Sequence, residues 1–119
     1  MTLHDIAMEL VAGCREARAK ANLDVLYAPD AVSVESVDQG MGRETVGLDA
    51  IKAKHDWWDG AFEFLGGSIS DPMPHGDDRF AVHFQLKARN KETDEVSEME
   101  EVGVYHVADG KIVREEFFY

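Results

Sequence analysis

The residues of this chain best suited to moving protons are glutamates set among apolar side chains, and Glu101 is the first of them. Phe80, Val82, Phe84, Leu86 and Ala88 alternate with Ala81, His83, Gln85 and Lys87, the period of a half-buried strand. If the polar turn from Asn90 to Glu95 closes between Glu92 and Thr93, Phe84 lies opposite Glu101, Val82 opposite Gly103 and Phe80 opposite Tyr105. Glu101 then shares an apolar face with Met99 and Tyr105. A carboxyl group so placed tends to stay protonated, which suits general-acid work. A one-residue slip would instead make it a solvated strand residue beside Glu98 and Glu100.

The last strand offers two registers. A two-residue Asp109-Gly110 turn would bring Arg114, Glu116 and Phe118 to the face of Tyr105. A three-residue Ala108-Asp109-Gly110 turn with a glycine bulge would bring Glu115, Phe117 and Tyr119 there instead. His55 shares a helical face with Leu48, Ile51 and Trp58, at spacings of three and four. It is either a proton relay near neutral pH or a core histidine bonded to a carbonyl.

Other chemistries find no pattern. His4, His55, His75, His83 and His106 are scattered, with no HExxH or paired-cysteine spacing, so no metal is expected. Neither a GxGxxG sequence nor a phosphate loop is present, so no nucleotide cofactor is expected, and a serine-type triad is equally unsupported. Cys14 is the only cysteine; no intrachain disulfide can form, and it reads as a small core residue.

The elements that must position these residues run from helices to strands. Thr2, with Asp5 three residues on, caps a first helix whose Leu3, Ile6, Leu10, Val11 and Cys14 share one face. A second helix is expected from Arg15 to about Leu26, ended by Pro29. Asp30 is read as a turn and Ala31 to Glu35 as a short strand. A loop through Gly40, Gly42 and Gly47 precedes the third helix. Beyond Phe62 the period is two: a strand over 62–69 interrupted by Gly66 and Gly67, a loop through Pro72, Pro74 and Gly76, then strands over 80–88, 96–107 and 112–119. Helices gathered on one side of an antiparallel sheet make an α+β domain.

The chain has 119 residues, room for one domain over 1–119 with a core that needs no disulfide or metal. Asp and Glu total 24 against 12 Lys and Arg, a formal net charge of −12. Such a polyanion repels phosphate backbones and anionic lipid, so neither nucleic acid nor membrane is an expected partner. No segment approaches the ~20 apolar residues of a membrane span, and the start lacks a basic, apolar leader. The cytoplasm is the expected location.

Leu26-Tyr27-Ala28-Pro29-Asp30-Ala31-Val32 resembles the helix-to-strand corner of the nuclear-transport-factor-2-like superfamily. The segment from Gly42 to Trp58 resembles its glycine loop and third helix, and Asp109-Gly110-Lys111-Ile112-Val113 its final hairpin. The set spans nearly the whole chain and is most similar to the SnoaL-like group. The resemblance implies a cystatin-like cone: three N-terminal helices on a strongly curved sheet that encloses a pocket. It also implies a homodimer, formed here through the outer sheet face carrying His83, Gln85, Lys87 and Arg114, and it favours the register that brings in Glu115. Glu35 falls where ketosteroid isomerase, a relative, has its catalytic base. The isomerase's oxyanion tyrosine has no counterpart in the first helix, so steroid isomerisation is not expected. Relatives include cyclases, dehydratases and proteins without catalysis, so function must come from the site. The expected catalytic set is Glu35, Glu101, Glu115 and His55. Trp58, Phe80, Phe84, Tyr105, Phe117 and Tyr119 are expected to bind a small apolar organic ligand, with a non-catalytic dimeric accessory protein as the alternative.

Overall fold

The structure is a computed structural model, and it describes residues 1–38, 40 and 42–119. Among the described residues, three helices are followed or interleaved by seven strands: α1 Leu3–Arg15, α2 Ala19–Leu26, β1 Tyr27–Val34, β2 Glu44–Val46, α3 Leu48–Ala61, β3 Phe62–Ile69, β4 Met73–His75, β5 Arg79–Asn90, β6 Val96–Ala108 and β7 Lys111–Phe118.

The α1 start is a full capping box. Thr2 Oγ1 accepts the Asp5 N–H at 3.1 Å, and the Asp5 carboxylate accepts the Thr2 N–H at 3.1 Å. The second helix begins at Ala19 rather than Arg15. Arg15 completes α1, and Ala17 then takes a left-handed φ of 58°, which no helix can carry through. Gly13 is where the two helices meet most closely. A Cβ there would lie 2.1 Å from Asn22 Nδ2, an amide that donates to the Glu9 carbonyl at 3.1 Å.

The sheet order among the described residues is β2-β1-β7-β6-β5-β3, with β4 also paired to β5. One pair departs from the antiparallel expectation: β1 runs parallel to β7. The first strand is also longer than expected and includes Pro29 and Asp30, which the sequence reads as a helix stop and a turn. The ladder jumps from Tyr27↔Ile112 to Val32↔Arg114, so Pro29 sits in a bulge where no ladder N–H is required. The glycine-loop stretch contains β2, paired to the end of β1; Gln39 and Met41 of that loop lie outside the described residues. The Pro72–Gly76 loop likewise contains β4. Both are three-residue edge segments, too short to show a period.

The β5–β6 hairpin has the register derived from its turn, with Phe84↔Glu101, Val82↔Gly103 and Phe80↔Tyr105. The last hairpin reaches the bulged register by a different route. Its turn has two residues, Asp109 and Gly110, both at positive φ, and Ala108 pairs with Lys111. The extra residue is Val113, since Val107 pairs with Ile112 and His106 with Arg114. Gly103↔Phe117 and Tyr105↔Glu115 follow.

The core forms where α1 and α2 meet the inner sheet face: Ile6, Leu10, Leu23, Leu26, Phe80, Val82, Tyr105 and Ile112 are buried. α3 packs against β1 and β2 at one end of the sheet and β3 at the other. At 14 residues it is about 20 Å long, enough to span the sheet between those strands. Bulges in β1, β3 and β7 bend the sheet beneath it.

Candidate functional site: three glutamates and a lysine

Strands β1, β6 and β7 each deliver one glutamate toward α3. Glu35 follows β1 directly, and its backbone is pinned to the glycine loop: its N–H donates to the Arg43 carbonyl at 2.9 Å, and its carbonyl accepts from Arg43 Nε at 3.0 Å. Lys54 reaches down from α3, forms an ion pair with Glu35 Oε1 and donates to Ser33 Oγ at 2.9 Å. Its ammonium stands 5.4 Å from the centre of the Phe117 ring, within cation–π range. Tyr119 donates its hydroxyl to Glu35 Oε2 at 3.0 Å.

Glu115 is only 3% exposed. The buried Tyr27 hydroxyl donates to its Oε2, and Ser33 hydrogen-bonds it as well. Burial raises the Glu115 pKa, outweighing the opposing effects of those two hydroxyls and of the Lys54 charge. Glu101 is pushed up to about 7, first by burial and then by the charges of Glu35 and Glu115, with Lys54 opposing. The three carboxyl groups and the lysine therefore feel one another. Burial favours the neutral form of both Glu115 and Glu101.

The shift on Glu101 makes a stability prediction. A carboxyl whose folded pKa lies above its unfolded value contributes stability below the unfolded value and loses it as pH rises through the folded one. Between pH 4.5 and about 7, the chain is expected to lose about 2 kcal/mol relative to Glu101→Gln, somewhat less than the ~1.4 kcal/mol per pH unit of a fully buried acid. Urea unfolding at pH 4.5 and pH 8 measures it. Parallel pH curves for the two proteins would refute it.

The aromatic residues divide. Phe80 is fully buried and stacks on Tyr105 at 5.0 Å between centroids, and Tyr105 meets the edge of Phe117 at 6.3 Å. Phe84 is buried beside them. Of these, Phe117 is the ring beside Lys54. Trp58 lies farther along α3, stacked on Phe62 at 4.4 Å, at the end of the helix away from Glu35. His55 is not gathered with the glutamates. No hydrogen bond joins it to Glu35, Glu101 or Glu115 among the described residues; its charged neighbours are Asp59, Lys54, Asp56 and Lys20, and burial lowers its pKa. Cys14 is partly buried against the core, and burial pushes its thiol up to about 11. Among the described residues no three His, Cys, Asp or Glu side chains are arranged to hold a metal, and no helix is long and apolar enough to cross a membrane.

Sequence reasoning missed Lys54, Ser33 and Tyr27. A partial signal for the first existed: Lys54 lies three residues after Ile51 and borders the helix face of Leu48, Ile51, His55 and Trp58. A groove of about 490 Å³ opens along β3, β5 and β6, where Leu86 and Met99 meet Gly66, Gly67, Lys87, Glu98 and Glu100; neither Lys54 nor the three glutamates line it. Leu86 and Met99 are cross-strand partners, and Met99 lies two residues before Glu101 on the same face of β6.

The same fold occurs in proteins of several descriptions. A candidate SnoaL-like polyketide cyclase from Mesorhizobium loti, also described as a carbohydrate phosphatase, is 33% identical with a TM-score of 0.93, each chain covered completely. A candidate isomerase from Bacillus subtilis (20% identity, TM-score 0.77) aligns over 98% of this chain and 88% of its own. A cystatin-like protein of unknown function from Xanthomonas campestris (19%, 0.78) aligns over 99% and 90%. The latter two likenesses are of fold alone, and no functionally curated protein matches. The family model described as the SnoaL-like domain matches residues 1–119, and the chain belongs to that family.

Proposed function

We infer that this domain binds a small, mostly apolar organic molecule and catalyses proton transfer on it. Glu35 is the base and Glu101, in its protonated form, the acid. The observation that carries this reading is the convergence of Glu35, Glu101 and Glu115, from the end of β1 and from β6 and β7, on one lysine beside the Phe117 ring. Carboxyl groups in unequal surroundings divide acid and base roles. Here Glu35 is held by two donors, Lys54 and Tyr119, while Glu101 is kept substantially neutral by burial. Glu115 is the deeply buried third carboxyl group, and His55 has no place in this scheme. Loss of a proton beside a carbonyl, or elimination of water across such a position, fits the pair.

Solvent exchange tests the reading without knowledge of the natural substrate. A panel of cyclic β-diketones and aryl ketones in D₂O, followed by proton NMR, is expected to show protein-dependent deuterium uptake at the α-carbon for at least one member. Uptake should fall as pH rises through the Glu101 value. No uptake above buffer across the panel would overturn the assignment.

The outer sheet face supports a second, independent part of the proposal, association of two copies. His83 pairs with Glu100 at 2.6 Å and His106 with Glu116 at 2.9 Å, while Phe118 is 54% exposed among them. A surface carrying both charge signs around an apolar side chain can meet its own copy. Sedimentation as a monomer at micromolar concentration would refute it.

A further inference from the structure

The site holds one cation among its carboxyl groups, and proton transfer at carbon has a use for it. An ammonium has three N–H donors. Two of those on Lys54 are taken, by Glu35 Oε1 and Ser33 Oγ; no further acceptor engages it among the described residues. The side chain is 31% exposed. Its placement is also heavily determined. Ser33 is fully buried and hydrogen-bonded to Glu115, and Glu115 in turn accepts from the buried Tyr27. A chain of contacts from the core thus ends on this amine. Phe117 lines its other side.

We propose that Lys54 is a further catalytic residue, whose remaining N–H binds the carbonyl oxygen of the substrate and stabilises the negative charge that develops there. The inference rests on the proton-transfer reading above and narrows the substrate class to carbonyl compounds that ionise to an enolate. The α-C–H bond breaks and its proton passes to the Glu35 carboxylate. The electron pair forms the new C=C bond, and the carbonyl π pair moves onto oxygen, where Lys54 and the Glu101 hydroxyl hold it. Return of a proton from Glu35, at the same or the vinylogous carbon, closes the cycle with no other reactant; where the carboxyl proton has first exchanged with D₂O, the carbon takes up deuterium. A donor fixed before the reaction costs no reorganisation when the charge appears. Tyr27, Ser33 and Glu115 are positioning residues that supply that fixity. The ion pair with Glu35 also keeps base and cation side by side, as abstraction and stabilisation at adjacent atoms require.

The test uses the full chain, the variants Lys54→Met, Lys54→Arg and Glu35→Gln, and two readouts. In solvent exchange with the responsive ketone, Lys54→Met is expected to be about 100-fold or more slower than wild type, with Lys54→Arg recovering part of the loss. The second readout is 4-nitrophenol, an oxyanion probe that needs no turnover. Wild type is expected to bind it as the coloured phenolate, lowering its apparent pKa on binding. Lys54→Met is expected to raise that bound pKa by one unit or more relative to wild type. Circular dichroism and melting curves establish that each variant is folded. If Lys54→Met exchanges as fast as wild type while Glu35→Gln is inactive, the lysine assignment falls and the proton-transfer reading stands. If Glu35→Gln also exchanges normally, the reading itself falls and takes the inference with it. Equal ionisation of bound nitrophenol in wild type and Lys54→Met, or no binding to wild type, overturns the lysine assignment directly.

Discussion

Glu35→Gln is expected to lower the rate of deuterium uptake by 10²- to 10⁴-fold, the contribution usual for a positioned general base. The substitution is chosen because it removes the proton-accepting charge and little else. Glutamine keeps the shape of the side chain and can still accept the 3.0 Å hydrogen bond from Tyr119 and a bond from Lys54. The backbone of residue 35 is held by Arg43 regardless of the side chain. The ion pair it loses is partly solvated, and such pairs contribute about 1 kcal/mol or less to stability. The variant should therefore melt within a few degrees of wild type while losing exchange. A fall in rate of less than about tenfold, in a variant shown to be folded, would assign the base elsewhere, with Glu101 the next candidate.

Gly67→Ala is expected to destabilise the chain by roughly 3–5 kcal/mol, the sum of backbone strain and an overpacked contact. Gly67 has a φ of +151°, and a Cβ there would stand 2.0 Å from the Gln85 carbonyl oxygen and 3.0 Å from its carbon. Those atoms belong to β5, the strand that carries Phe80 and Phe84, and no side-chain rotation can move them aside. Gly66 provides the control. Its φ is +139°, but nothing lies within 4 Å of the Cβ position, so Gly66→Ala should cost only the strain, about 1–3 kcal/mol. Urea unfolding of both variants against wild type gives the comparison. Equal costs would mean that β3 shifts to accommodate the methyl group.

Much of this architecture follows from local features of the chain. The capping box at Thr2 and Asp5, the apolar stripe of α1 and the two-residue alternation from Phe80 to Ala88 each specify their element without help from elsewhere. The Asn90–Glu95 turn, closing between Glu92 and Thr93, then gives the β5–β6 register that is observed, and with it the inward face of Glu101. The SnoaL-like family was legible in the corner at Pro29, the glycine loop and the last hairpin, since each is a point where backbone geometry restricts residue type.

Tertiary structure decided the rest. A two-residue Asp109-Gly110 turn would by itself have turned Glu115 outward; the bulge at Val113 turns it in, and only the parallel pairing of β7 with β1 brings it beside Ser33 and Tyr27. A lysine in an amphipathic helix reads as a solvated residue unless that helix is known to cross the sheet, and that is a matter of packing. The same holds for charge: composition makes the chain a polyanion, but which carboxyl group keeps its proton depends on burial and on the distance to one ammonium. Periodicity records which face of an element is apolar. It carries no information about which charges from remote elements meet there, because that is set by long-range pairing and not by neighbours in sequence.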